Sequence, residues 1–253
     1  MSSWARHPLR VSRRLLWLGG ELLLAAIDYA RRRTFPSDAP LHQRRAKWLQ
    51  QASRRVLRIF DVKIDAGGTV PLNGLLVCNH LSYLDVLVLS ALSPSLFVAK
   101  SEVRHWPVFG WFARLAGTIF VNRSKPSLAA QTADEMGRAL RDGALVVLFP
   151  EGTSSGGETV LPFKSSLLKP ATRHHHALTA ALIAYELTDG DASEEVCYWK
   201  DMTLVPHLLN LLSKRAIHAS VGFTELRQGS TNRKELARQL RSEVLRLKES
   251  FAA

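Results

Sequence analysis

The sequence predicts an α/β protein, a central mixed sheet flanked by helices and preceded by an N-terminal helical pair. Three observations carry that reading. From residue 62 onward short apolar runs alternate with helical patterns. The 253 residues, 46% hydrophobic and 22% charged, suit a folded domain with a substantial core. Charge is segregated: residues 1–60 hold 13 Lys+Arg against Glu21, Asp28 and Asp38, while the remaining 193 residues are nearly neutral. The chain therefore divides into 1–61, a basic helical pair for membrane association, and 62–253, an α/β body.

In the first element, Leu15 to Ala30 is an apolar stretch of 16 residues interrupted by Glu21 and Asp28. A membrane span needs about 20 predominantly apolar residues, so this one is short and carries two costly acids. Seven residues apart, those acids share one helix face, leaving Trp17, Leu24 and Ile27 on the remaining surface. Arginines flank both ends and no small-residue cleavage site follows, so a secreted precursor is not expected. "TFPSDAP" makes a turn into a second helix, where Trp48, Leu49, Ala52, Val56 and Phe60 form an apolar stripe among six Arg and Lys. An apolar stripe with abundant arginine suits the surface of an anionic bilayer.

The body supplies seven strand-like runs: VKIDA, GLLVC, LFVA, GTIFV, ALVVLF, ALTAALIAYE and IHASVGF. Leu128, Ala129, Thr132, Met136 and Leu140 recur at helical spacing, with Gly143 as the C-terminal stop. MTLVPHLLNLLSK is a second apolar helix, with Pro206 near its first turn. The last helix opens with Asn232 and Glu235, a capping-box-like start, and carries the stripe Leu236, Leu240, Val244, Leu247 and Phe251. Cys78 and Cys197 have neither framework nor metal spacing, which reads as a reducing compartment.

In α/β sheets, ligands gather beyond the carboxyl ends of strands. The run GLLVC ends there on Asn79-His80, and Asp85 follows five positions after the histidine. Residues five apart on one helix point about 140° apart, but a strand-to-helix corner lets the carboxylate reach the imidazole. A carboxylate on one ring nitrogen fixes the tautomer and leaves the other nitrogen as a general base. Ser82-x-x-Asp85 is equally an N-capping pattern, so His-x4-Asp alone does not decide between the two. GTIFVNR and VVLFPEGTSS would bring further polar groups to the same sheet edge.

With those stretches added, the sequence resembles the glycerolipid acyltransferases, the 1-acylglycerol-3-phosphate acyltransferases and their relatives, over roughly residues 62–225. Asn79, His80 and Asp85 match the N-H-x4-D motif; Gly117, Phe120, Val121 and Arg123 match G-x-x-F-[IV]-x-R; Phe149 to Thr153 match F-P-E-G-T. The resemblance implies His80 as the base that deprotonates the acceptor hydroxyl and Asp85 as the residue that orients and polarises it. It implies that Asn79, Arg123, Glu151, Gly152 and Thr153 bind substrate, with Lys100 at the approach. It implies direct transfer from acyl-CoA or acyl carrier protein, at the cytoplasmic face of the inner (plasma) membrane, in phospholipid biosynthesis. No metal or organic cofactor and no nucleic-acid partner is expected.

The sequence departs from the family where an arginine usually follows the third motif; here Ser154 stands. A fourth motif normally has a proline after an apolar pair, and LTAALIAYEL has alanine there. A lost guanidinium is a lost bidentate phosphate partner. Two acceptors follow: 1-acylglycerol-3-phosphate, served by Arg123 and by Lys100 or Lys164, or a lysolipid with another head group, as in the lyso-ornithine lipid branch that FPEGTSS and LPFKSSLL resemble. A remote alternative is a non-catalytic lipid- or nucleic-acid-binding protein. His174 to His176 read as a surface turn, because consecutive residues alternate faces. His207 reads as a satisfied core histidine, and WPVFGWFARLAG either lines an acyl slot, meets lipid or packs in the core.

Overall fold

The computed structural model describes residues 7–35, 38–121, 126–172 and 176–252. Two long helices come first, α1 (Pro8–Thr34) and α2 (Leu41–Ile59). The body follows as β1 (Val62–Gly67), β2 (Gly74–Cys78), α3 (Leu84–Leu92), β3 (Ser95–Lys100), α4 (Phe109–Leu115), β4 (Ile119–Val121), α5 (Pro126–Arg141) and β5 (Leu145–Leu148). It closes with β6 (Leu178–Leu187), α6 (Ala192–Glu195), α7 (Leu204–Ser213), β7 (Ile217–Glu225) and α8 (Arg233–Ala252).

The strands form one seven-stranded sheet in the order β1-β7-β6-β2-β5-β3-β4. Every pairing is parallel except β6 with β7, so the sheet is mixed. The central strands β2 and β5 are buried on both faces, the condition of a parallel sheet covered by helices. Period-two alternation divides the core. Leu76, Cys78, Ala181 and Ile183 face one layer with α3 and α7, whereas Leu75, Val77, Ala180 and Leu182 face α5 and α8.

The N-terminal helices are built into this body. Val11 and Leu18 of α1 and Leu57 and Ile59 of α2 belong to the larger core. Arg14 is buried and donates to the carbonyls of Leu212 and Lys214 at the end of α7, satisfying a helix terminus. Both acids of α1 take arginine partners, Glu21 with Arg55 at 2.7 Å and Asp28 with Arg32 at 2.9 Å. The face of α1 away from the body is apolar, with Leu16 79% and Leu23 63% exposed. Among the described residues no helix is long and apolar enough to cross a membrane.

One open reading is resolved, one detail differs, and one reading falls mostly outside the described residues. WPVFGWFARLAG forms α4 and divides its roles: Phe112 stacks on Trp48 of α2 at 5.9 Å between ring centroids, while Trp111 remains exposed. Asn232 caps α8 by accepting from the amide of Lys234, but Glu235 accepts from the Ser230 hydroxyl instead of closing a capping box. Of the three consecutive histidines, His174 and His175 lie outside the described residues.

Candidate active site

The chain leaves β2 through Asn79, whose carboxamide replaces the next rung of the ladder to β6. Its Nδ2 donates to the carbonyl of Ile183 at 3.0 Å and its Oδ1 accepts the Ile183 amide at 2.8 Å. That double bond to main chain lets the backbone turn away at His80 without orphaning the neighbouring strand. Asn79 is buried and lies behind the histidine, so both side-chain functions go to structure.

Asp85 sits in the first turn of α3 and is fully buried. Its Oδ2 accepts from the amides of Leu81 at 2.7 Å and Ser82 at 3.0 Å, and lies 2.7 Å from Nδ1 of His80. Its Oδ1 accepts the hydroxyl of Tyr185 at 2.7 Å. The amide contacts before the helix and the imidazole contact thus fall on one oxygen. Ser82 is not the cap the sequence suggested: α3 starts after Tyr83, and the Ser82 hydroxyl makes no hydrogen bond among the described residues. Because that oxygen already accepts two amides, the His80 contact runs from Nδ1–H to the carboxylate. Nε2 is then the ring nitrogen free to accept a proton, and it has no hydrogen bond among the described residues.

The His80 ring stacks on Phe149 at 4.2 Å between centroids and 19° between planes. Its carbonyl accepts the Ser155 amide at 3.0 Å, tying the segment after β5 to the corner after β2. His80 opens into a cavity of about 360 Å³. Lys100, Gly152, Thr153 and Ser154 line it, together with an aromatic wall of Trp106, Tyr198 and Trp199. Gly152 has φ +71°, a left-handed turn that a glycine adopts without strain and that bends the chain around the cavity mouth. A larger cavity of about 830 Å³ lies beyond Asn79, against β1, β6 and the end of α8, and its lining includes neither His80 nor Lys100. His80 and Lys100 share the smaller one.

Glu151 does not line the His80 cavity. It is 2% exposed, and neither carboxylate oxygen has a hydrogen-bond partner in ordinary geometry. Burial pushes its carboxyl up to about 8; the main-chain groups of His80 and Leu161 and the charge of Arg241 offset only part of that. The carboxyl expected at the acceptor thus lies buried outside the cavity lining, with its charged form disfavoured. Arg123 lies outside the described residues.

Sequence reasoning did not single out Tyr185 or Tyr83. Burial raises both phenols well above their ordinary range, so both act as donors. Tyr83 lies 3.0 Å from Nδ1 of His207, whose Nε2 lies 3.1 Å from the carbonyl of Cys197. That carbonyl can only accept, so Nε2 carries the ring proton and Tyr83 donates to Nδ1. Burial pushes His207 down to about 4, and the neutral ring holds the 196–203 segment against α3. A tyrosine in a run of alanines and leucines was the available signal for Tyr185, since a buried phenol needs a partner.

The protein-family model described as Acyltransferase matches residues 64–209. The chain is 39% identical over 215 residues to the lyso-ornithine lipid O-acyltransferase of Brucella abortus, covering 78% of this chain and 80% of that protein. It is 32% identical to the protein of the same name from Pseudomonas aeruginosa, covering 94% and 92%. The 1-acyl-sn-glycerol-3-phosphate acyltransferase of Neisseria meningitidis is 32% identical, over 68% of this chain and 69% of that one. In fold, the crystal structure of the 1-acyl-sn-glycerophosphate (LPA) acyltransferase PlsC from Thermotoga maritima superposes with TM-score 0.64 at 19% identity, covering 96% and 98%.

Proposed function

The chain belongs to the acyltransferase family, and on that premise we propose that it transfers a fatty acyl group to the hydroxyl of a lysolipid at a membrane surface. The observation that carries this reading is the 2.7 Å contact of His80 Nδ1 with the buried Asp85, which leaves Nε2 at the cavity.

In the reaction, Nε2 of His80 takes the proton of the acceptor hydroxyl as that oxygen attacks the thioester carbonyl of acyl-CoA or acyl carrier protein. The new C–O bond forms and the C–S bond breaks. The imidazolium, held by Asp85, returns its proton to the departing thiolate. Asn79 braces the corner that aims the ring, and Phe149 fixes the ring plane. Lys100, Gly152 and Thr153 bind the acceptor at the mouth.

For the acceptor, a lyso-ornithine lipid is favoured over 1-acylglycerol-3-phosphate. Proteins named for the former include the 39% and 32% relatives that cover most of this chain. Ser154, where the family usually carries arginine, donates its hydroxyl to the Tyr198 carbonyl and so ties two loops instead of holding a phosphate. The exposed leucines of α1 and the arginines of α2 support docking on one leaflet, with the site facing the cytoplasm.

The test is an acyl-transfer assay of purified protein with one labelled thioester and a panel of lysolipids. Transfer to lyso-ornithine lipid above 1-acylglycerol-3-phosphate is expected. The reverse order would overturn the acceptor assignment, and no transfer to any lysolipid would overturn the activity.

A further inference from the structure

The basic character of the N-terminal element is not spread evenly over its surface. A pocket of about 300 Å³ lies between the last turns of α1 and the first turns of α2. Arg32, Arg33, Arg44 and Arg45 line it over Tyr29 and Trp48, and no carboxylate is among its lining residues. Arg32 is half-neutralised by Asp28 and also donates to Gln51. The other three arginines have no acidic partner among the described residues.

The Nε atoms of Arg44 and Arg45 are buried and lack any hydrogen-bond partner. Those two atoms are closed to solvent, so an anion in the pocket would meet these guanidiniums through their terminal nitrogens. The floor is fixed. Trp48 is 1% exposed, donates its indole N–H to the Ala25 carbonyl at 3.0 Å and meets the edge of Tyr29 at 5.3 Å. Arg45 is held where it stands: a Cβ on Gly117 would lie 3.0 Å from its Cδ, so the arm passes directly over that backbone.

We propose that this pocket binds one phosphate group, the headgroup phosphodiester of an anionic phospholipid. Guanidiniums bind phosphate oxygens in planar, bidentate fashion, and three of the four here have no carboxylate partner among the described residues. Lipid is favoured as the source because the pocket has an apolar rim: Leu41 lines it and is 53% exposed, and Phe35, two residues beyond Arg33, is 79% exposed. The inference rests on the docking reading of α1 and α2 but adds to it a saturable headgroup site, distinct from general attraction to a charged surface.

Soluble dihexanoyl phosphatidylglycerol titrated into the full-length protein by calorimetry tests it. Saturable binding of one lipid per chain is expected, at least 10-fold weaker in the double variant Arg44→Gln, Arg45→Gln. A control, Arg13→Gln with Arg31→Gln, removes the same charge from exposed positions and should bind as the parent does. Equal loss in both variants, or no saturable binding by the parent, would overturn the site. Inorganic phosphate that displaces the lipid at equal concentration would overturn the lipid as occupant. Should the double variant melt early, Arg45→Lys keeps the charge without the planar guanidinium, and weakened lipid binding is again expected. Flotation with phosphatidylcholine vesicles separates the two ideas: binding there that the arginine variants leave intact supports docking by α1, and its absence overturns docking itself.

Discussion

The hydroxyl of Tyr185 donates to Oδ1 of Asp85 at 2.7 Å, across 100 residues of sequence, and closes the far side of the carboxylate that holds His80. With that donor gone, Oδ1 is left buried and unpaired, and the carboxylate that aims the imidazole is held less firmly. Tyr185→Phe should lower kcat about 10-fold with KM little changed. A purely structural role for Tyr185 would lower the melting temperature and leave kcat of the folded protein where it is, and kcat, KM and melting temperature of the purified variant read the difference.

His80 and Asp85 are partners, yet they should fail differently. His80 is partly exposed to the cavity, so His80→Ala should reduce turnover on the order of 10²-fold or more while the melting temperature moves little. Asp85 is buried and accepts from Leu81, Ser82, His80 and Tyr185. Asp85→Asn places an amide donor among donors, and each buried group left unpaired costs about 1–3 kcal/mol. Loss of activity together with a lowered melting temperature is the expected result. Near-normal turnover in His80→Ala would end the general-base assignment.

The seven strands were legible because buried strands read as apolar runs, and the His80–Asp85 corner because residue spacing reports local geometry. The direction of β7 was not legible. Period-two alternation in Ile217–Glu225 is the same whether its neighbour runs parallel or antiparallel. Tyr185 was missed for a related reason: only the register that sets Cys78 opposite Ala181 carries the second half of β6 past the end of β2, where Asp85 lies. Glu151 shows a different limit. A motif fixes the residue's place in the chain but not the side to which a turn sends its side chain, and this one points inward.

That inward turn has a consequence for stability. An acid held near 8 in the fold and at its ordinary 4.5 when unfolded keeps its proton in the native state over that interval and loses it on unfolding. The native state therefore binds more protons, and the contribution of Glu151 to stability falls as pH rises from about 4.5 through about 8. At about 1.4 kcal/mol per pKa unit, the full shift amounts to at most about 5 kcal/mol across the window. Glu151→Gln removes the titrating group while keeping its shape, so its melting temperature should decline less than the parent's between pH 5 and pH 9, with the largest relative gain at the alkaline end (roughly the window set by the shift). Parallel melting curves for the two proteins would show that Glu151 is solvated or paired.

Ser154 offers the most direct test of head-group choice. It lines the cavity and its hydroxyl donates to the Tyr198 carbonyl, so it occupies a position from which a longer side chain would reach the acceptor. Ser154→Arg gives up that one tie, worth about 1 kcal/mol, and adds a guanidinium beside Lys100. A phosphate gains a charged hydrogen bond there, worth roughly 1.5–3 kcal/mol, whereas an ornithine head group brings its own cation toward the new charge. The ratio of kcat/KM for 1-acylglycerol-3-phosphate over lyso-ornithine lipid should therefore rise at least about 10-fold. An unchanged ratio in a variant that melts like the parent would mean that the acceptor head group binds elsewhere, and would remove Ser154 from the specificity of this site.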